Sequence, residues 1–269
     1  MKLRIVPAST GFAWVKLGIQ TFFRQPLAMT GLFFMFMAVV SVLSVIPTIG
    51  TAVSLVLVPA ATLGLMAASR EAMNGRFPMP TTLVTAFRSG ASKAQPMLIL
   101  GGMYAAALLL VVAFASLVGS ASAPAELQEG TQVTPEMAIQ AIFNNPGFWF
   151  GLAIYLPTVM AFWHAPALVH WHGVSPVKSL FFSFMACWGN KGAFVMYMMG
   201  WVGVMFALVL VMGLLGTLLG GAQALGIVVY PAGLFIASMF HTSIYFTFRD
   251  SFVTDDSPTL PSPTTGDDA

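Results

Sequence analysis

The residues able to do chemistry are few, and histidine leads them. His164 and His241 each stand inside a long apolar run, about six residues from its end, and His170 and His172 follow close behind the first of them. An ionisable side chain within such a run is a functional candidate, because charge is costly to bury in hydrocarbon. At about 1.5 Å of rise per residue the two intramembrane histidines sit at similar depth. If their helices are neighbours they face one another, and paired imidazoles can hold a haem iron or a transition metal. The competing expectation is that both are packing groups, hydrogen-bonded to backbone or hydroxyls between helices. No Asp, Glu, Lys or Arg lies within any apolar run. The order His164-x5-His170-x-His172 matches no strong metal spacing. The sequence therefore assigns no metal ligand and no cofactor, and these four histidines stay as the weak candidates.

Other chemistry is sparser still. Glu71 follows Arg70 and could pair with it or with Arg76; a solvated interfacial charge is the plainer reading. No serine sits in a Gly-x-Ser-x-Gly elbow. Gly216-Thr-Leu-Leu-Gly220 lacks the Lys-Ser/Thr of a phosphate loop, and with Gly200, Gly203 and Gly213 it reads as small-residue helix packing. Cys187 is the sole cysteine, which excludes a disulfide framework and a cysteine metal site. With no nucleophile, base and orienter in one constellation, the expectation is a protein that is not an enzyme.

What must position these residues is a membrane bundle. The chain is 58% hydrophobic and 7% charged, with mean hydropathy +0.86, against about 25% charged residues in soluble domains. A net charge of +2 leaves no nucleic-acid footprint. Runs at about 26–46, 51–69, 97–118, 148–168, 193–215 and 222–247 are each long enough to span a bilayer. They lack the alternation of barrel strands. The fold class is an all-α membrane protein, its six spans forming three hairpins. The Pro47–Gly50 joint closes the first hairpin and a glycine-rich turn near Gly216, Gly220 and Gly221 closes the last.

Charge placement orients the bundle. Lys2, Arg4, Lys16 and Arg24 precede span one; Arg70, Arg76, Arg88 and Lys93 lie between spans two and three; Lys178 and Lys191 lie between four and five; Arg249 follows span six. The opposite turns hold no cation, and the loop after span three carries Glu126, Glu129 and Glu136. The positive-inside rule then puts both termini in the cytoplasm. No cleavable signal peptide is evident at the start of the chain.

Three segments on the basic side have helical periodicity but are too polar to span: Thr10–Arg24, Thr81–Lys93 and Pro176–Trp188. Ser175-Pro176 is a good start for the last, with Val177, Leu180, Phe181, Phe184 and Trp188 on one face and Lys178, Ser179 and Ser183 turned away. Each is expected to lie in the headgroup plane and to stop at a breaker: Gln25-Pro26, Gln95-Pro96 or Gly189-Asn190. Lys16, Arg24, Arg88, Lys93, Lys178 and Lys191, with Trp14 and Trp188, are the expected lipid-interface residues. Pro59, Pro166 and Pro231 recur in the second span of each hairpin, where proline removes a helix hydrogen bond and favours a kink. The pattern predicts three divergent repeats at about 9–75, 80–172 and 175–249 within one domain, 1–249. A periplasmic insertion, 119–146, holds a short capped helix from Thr134-Pro135-Glu136. An acidic tail, 250–269, is expected to be disordered.

Gly11-x-x-Trp14-x-x-x-Gly18, then Phe22-x-x-x-Pro26, resembles the opening of an uncharacterised proteobacterial family of multi-pass inner-membrane proteins, and Ser175-Pro176…Asn190 is similar to its later segment. The resemblance covers most of the membrane region and implies a six-span inner-membrane protein; it brings no catalytic or binding residues with it. The first expectation for function is a non-enzymatic scaffold, regulator or lipid-interacting protein. Its partners would be anionic headgroups of the cytoplasmic leaflet, with a membrane-protein partner or a second copy also open. The alternative is a transporter or channel for a small or lipid-like solute, since repeats and proline-broken helices are common in transporters.

Overall fold

A computed structural model describes residues 2–47, 49–88, 90–120, 134–218 and 222–253. It begins with a short strand β1 (Lys2–Leu3), followed by α1 (Thr10–Arg24), α2 (Pro26–Ser44) and α3 (Gly50–Met73). A 3-10 turn at Pro80–Val84 leads to α4 (Thr85–Arg88) and α5 (Ala91–Ser120). Then come α6 (Pro135–Asn144), α7 (Pro146–Trp163), α8 (Ala165–His172), α9 (Pro176–Gly189), α10 (Lys191–Leu218), α11 (Ala222–Ser251) and β2 (Phe252–Val253). Six segments are long and apolar enough to cross a membrane: α2, α3, α5, α7 with α8, α10 and α11. The fold is all-α, as the composition requires. Of the tail expected at 250–269, residues 250–253 are instead ordered as the end of α11 and β2; the tail beyond Val253, residues 121–133 of the insertion, and the Gly220-Gly221 turn lie outside the described residues.

The first and last described residues meet. β1 pairs antiparallel with β2, Lys2 opposite Val253 and Leu3 opposite Phe252. Buried Asn190, between α9 and α10, clamps this clasp: its side-chain oxygen accepts from the Val6 amide at 2.8 Å, and its Nδ2 donates to the Arg4 carbonyl at 3.0 Å. Asn190 thus does more than stop a helix.

α1 departs from expectation. It does not lie apart in a headgroup plane but packs on α10 and α11, burying Gly11, Trp14, Val15, Gly18, Thr21 and Phe22. The motif Gly11-x-x-Trp14-x-x-x-Gly18 is the contact surface. A Cβ on Gly11 would collide with the Ala193 carbonyl, and one on Gly18 with Ser243. Of the glycines read as packing sites on α10, Gly200 meets Phe12 and Val15 of α1, whereas Gly203 and Gly213 face open space.

The segment 81–93 is also different. Gly90, with φ +87°, separates α4 from α5, so the region is a 3-10 turn, one helical turn and the start of a span rather than one amphipathic helix. Pro96 is no breaker. It lies inside α5, as its sixth residue, where it removes one helix hydrogen bond without ending the helix.

α9 has the predicted length but the inverse orientation. Val177, Phe181 and Trp188 are exposed, while Ser179 and Ser183 are fully buried. Next to a bundle whose outer solvent is lipid, the apolar face of α9 turns outward and the hydroxyls turn inward: Ser179 donates to the Pro176 carbonyl of its own helix, and Ser183 reaches the backbone of span four.

Candidate functional site

Span four is broken at His164, and the break explains the buried Ser183. The His164 amide, instead of bonding the carbonyl four residues back, donates to Ser183 Oγ at 2.9 Å; Ser183 Oγ donates in turn to the Met160 carbonyl at 2.7 Å. A side-chain hydroxyl is thus spliced into the helix ladder, one of the established causes of a kink. Cys187 Sγ also reaches the Met160 carbonyl, at 3.6 Å. Pro166, two residues on, has no N–H with which to continue the ladder.

The two intramembrane histidines have different surroundings. The His164 ring packs on Phe194, Phe248 and Phe252 at centroid distances of 6.0, 5.9 and 5.5 Å. Phe248 stands seven residues beyond His241 on α11, about 10 Å along a helix axis. His241 instead packs on Phe33 at 4.9 Å, and its Nδ1 bonds the Ala237 carbonyl at 2.8 Å. The two do not face one another, so the expected imidazole pair is not formed. Neither makes the expected interhelical bond: His241 bonds the backbone of its own helix, and neither ring nitrogen of His164 has a hydrogen-bond partner. His170 is buried with its Nδ1 also unpartnered, and His172 is half-buried beside Phe248. Among the described residues no group of three or more His, Cys, Asp or Glu is placed to share a metal ion.

The basic end of the bundle holds a pocket of about 310 Å³. Arg70 enters it from the end of α3, Trp171 and His172 from the end of α8, Tyr245, Phe248 and Arg249 from α11, and Phe252 from β2. Left-handed Gly173, at φ +64°, closes α8 and leaves its last two side chains at the rim. The Arg70 guanidinium lies 5.8 Å over the Trp171 ring and that of Arg249 lies 5.0 Å over Phe246. Such contacts hold a cation on an aromatic face without neutralising it.

Charge in the pocket is unbalanced. Asp250 takes the Arg249 Nε at 2.8 Å through one oxygen and buried Trp14 Nε1 at 2.9 Å through the other. Arg70 has no carboxylate partner among the described residues. Its sequence neighbour Glu71 accepts from the Thr82 hydroxyl at 3.3 Å instead of pairing with Arg70 or Arg76. What remains is one uncompensated guanidinium, a half-exposed imidazole and four aromatic side chains, an environment suited to an anion carried on an apolar body.

Of the other expected interface residues, Lys16, Arg24, Arg88, Lys93, Lys178 and Lys191 are exposed. Arg24 caps the end of α3 through the Met73 carbonyl at 2.6 Å. Exposed Trp188 stacks on Phe184, and Lys191 lies 5.2 Å over its ring. Trp14 is a correction: it is completely buried, because its indole N–H is committed to Asp250 and its ring packs against Phe194 and Tyr197. Sequence reasoning missed Ser183, Asn190 and the gathering of Arg70, Trp171 and Arg249. Ser183 leaves a trace in its helical spacing from Ser179, and Asn190 shows in the sequence only as a helix breaker; the gathering of the three pocket residues leaves none.

The fold and this basic, aromatic-walled face define a six-span integral membrane protein. The chain is 38% identical over 273 residues to a probable inner membrane protein of Burkholderia thailandensis, an alignment covering 97% of this chain and 98% of that relative. It belongs to that family of inner-membrane proteins. No family model matches the chain, and no solved structure matches it.

Proposed function

We propose that this is a non-enzymatic membrane protein that engages anionic lipid headgroups from the cytoplasmic leaflet, as a scaffold or regulator of the membrane around it. One observation carries the reading: the unpaired Arg70 guanidinium over Trp171, in a pocket shared with His172 and Arg249. Supporting it, the exposed cations cluster in the segments flanking that end of the bundle, which the positive-inside rule assigns to the cytoplasm together with both termini. Each basic residue near an anionic surface contributes about 1 kcal/mol to such an association. The outward apolar face of α9, with Phe181 and Trp188, adds acyl-chain contact next to Lys178 and Lys191. α10 exposes most of its length and offers its surface to acyl chains or to a partner helix.

The test is the lipid retained through purification in mild detergent, measured by mass spectrometry. Anionic phospholipid should be enriched over its share of the source membrane, and an Arg70→Gln variant should lose that enrichment. Equal retention of zwitterionic lipid by both proteins would remove the reading. A second reading, transport of a lipid-like solute, draws support from the broken span four, since discontinuous helices surround many transport sites. It predicts solute flux into vesicles that stops when span four is locked.

A further inference from the structure

A second cavity, separate from the headgroup pocket and sharing none of its residues, lies between α3, α5, α7 and α11 and has a volume of about 220 Å³. Thr62, Tyr104 and Val159, which line it, each stand within about one residue of the midpoint of their span. The cavity is therefore at mid-membrane depth. No charged residue lines it, so an ion or an ionised solute would be bound there without compensation, at high cost.

Its polar groups are specific. His241 Nδ1 faces the Ala237 carbonyl at 2.8 Å, and a carbonyl only accepts, so the ring proton is on Nδ1 and Nε2 is the acceptor. Nε2 has no partner among the described residues, and neither has the hydroxyl of Tyr104 or Tyr155. The other polar side chains at the cavity are already committed: the Thr62 hydroxyl to the Val58 carbonyl at 2.9 Å, the Trp163 indole N–H to Thr247 at 3.0 Å. At mid-membrane depth, unpaired polar groups are costly unless a ligand or water satisfies them. The walls are aromatic, with the Tyr104 and Phe162 rings 5.1 Å apart in an edge-on arrangement. Tyr155 is 42% exposed on the lipid-facing surface, which puts the mouth of the cavity on the bilayer side.

We infer that this cavity binds the hydroxylated ring of a neutral, lipid-soluble phenol that enters sideways from the bilayer. The ring hydroxyl donates to His241 Nε2 and accepts from a tyrosine hydroxyl, while its apolar tail stays in lipid. The size agrees: a cavity of about 150 Å³ holds benzene, and this one has room for a ring with small substituents.

The experiment uses the full chain in phosphatidylcholine nanodiscs, with decylphenol as the probe and its methyl ether, decylanisole, as the comparison. Binding is followed by tryptophan emission, which reports through Trp163 in the cavity wall, and by ligand mass retained in native mass spectrometry. Decylphenol should bind saturably, and decylanisole, which has no proton to donate, about tenfold more weakly. His241→Phe should weaken decylphenol by about tenfold, and Tyr155→Phe by about three- to fivefold. The Tyr155 hydroxyl bonds no protein group, so that second variant keeps its fold even if the first does not. Equal binding of phenol and ether, unchanged binding in Tyr155→Phe together with His241→Phe, or no saturable binding at all would overturn the assignment.

Discussion

Replacing Ser183 by alanine removes one oxygen, yet it withdraws the partner of two backbone groups in another helix. The His164 amide and the Met160 carbonyl, 2.9 and 2.7 Å from that oxygen, lie beside a completely buried histidine in an apolar setting. An unsatisfied buried donor or acceptor costs about 1–3 kcal/mol, so the pair should cost about 2 kcal/mol even if span four partly closes over the gap. At about 2–4 °C per kcal/mol for a chain of this size, the thermal midpoint should fall by about 4–8 °C. The assay is built into the protein. Cys187 is its single cysteine and is buried next to the same carbonyl, so a thiol-reactive dye reports unfolding at the site itself. An unchanged midpoint for Ser183→Ala would show that the hydroxyl is not part of the helix ladder, and the explanation of the break in span four would fail.

Three further outcomes follow from the same contacts. Gly18→Ala should lower expression and stability by the equivalent of about 1–3 kcal/mol, the range for overpacking, because its methyl meets Ser243, whereas Gly203→Ala should be neutral in the same thermal assay. Asp250→Ala should destabilise by about 2 kcal/mol, since it leaves fully buried Trp14 without its acceptor; Asp250→Asn should keep most of the stability while releasing Arg249 and raising anionic-lipid retention. Burial pushes the Cys187 thiol well above its ordinary range. The thiolate is therefore scarce in the folded protein, so maleimide labelling at neutral pH should be slow, rise as pH increases, and become fast on denaturation in dodecyl sulfate; rapid labelling of the folded chain would contradict the burial.

The spans were legible because lipid demands a long apolar run and little else does. All six appear close to their predicted positions, and Thr10–Arg24 and Pro176–Trp188 are helices at nearly the predicted residues. Periodicity could not reveal which solvent each face meets. For α9 the familiar rule, apolar inward and polar outward, inverts at a lipid boundary, so Ser179 and Ser183 face the bundle. For α1 the tryptophan that marks an interface in many membrane proteins is instead a core residue, held by an aspartate 236 positions away in the chain. That distance also explains the missed pocket: Arg70, Trp171 and Arg249 are brought together by tertiary packing alone, and no spacing within the sequence encodes their meeting. The histidine pair failed for a related reason. Similar depth does not fix which neighbours a ring meets: His164 packs among Phe194, Phe248 and Phe252, and His241 against Phe33.

Anionic-headgroup binding at the Arg70 pocket is measured by titrating the detergent-solubilised protein with short-chain phosphatidylglycerol and, separately, phosphatidylcholine, following tryptophan emission in the intact protein and in a Trp171→Phe control. Saturable binding of the anionic lipid alone, weakened about tenfold or more in Arg70→Gln, with the emission change lost when Trp171 is replaced, is the predicted result. Equal binding of the two lipids, or an Arg70→Gln variant that binds as the parent does, would contradict it.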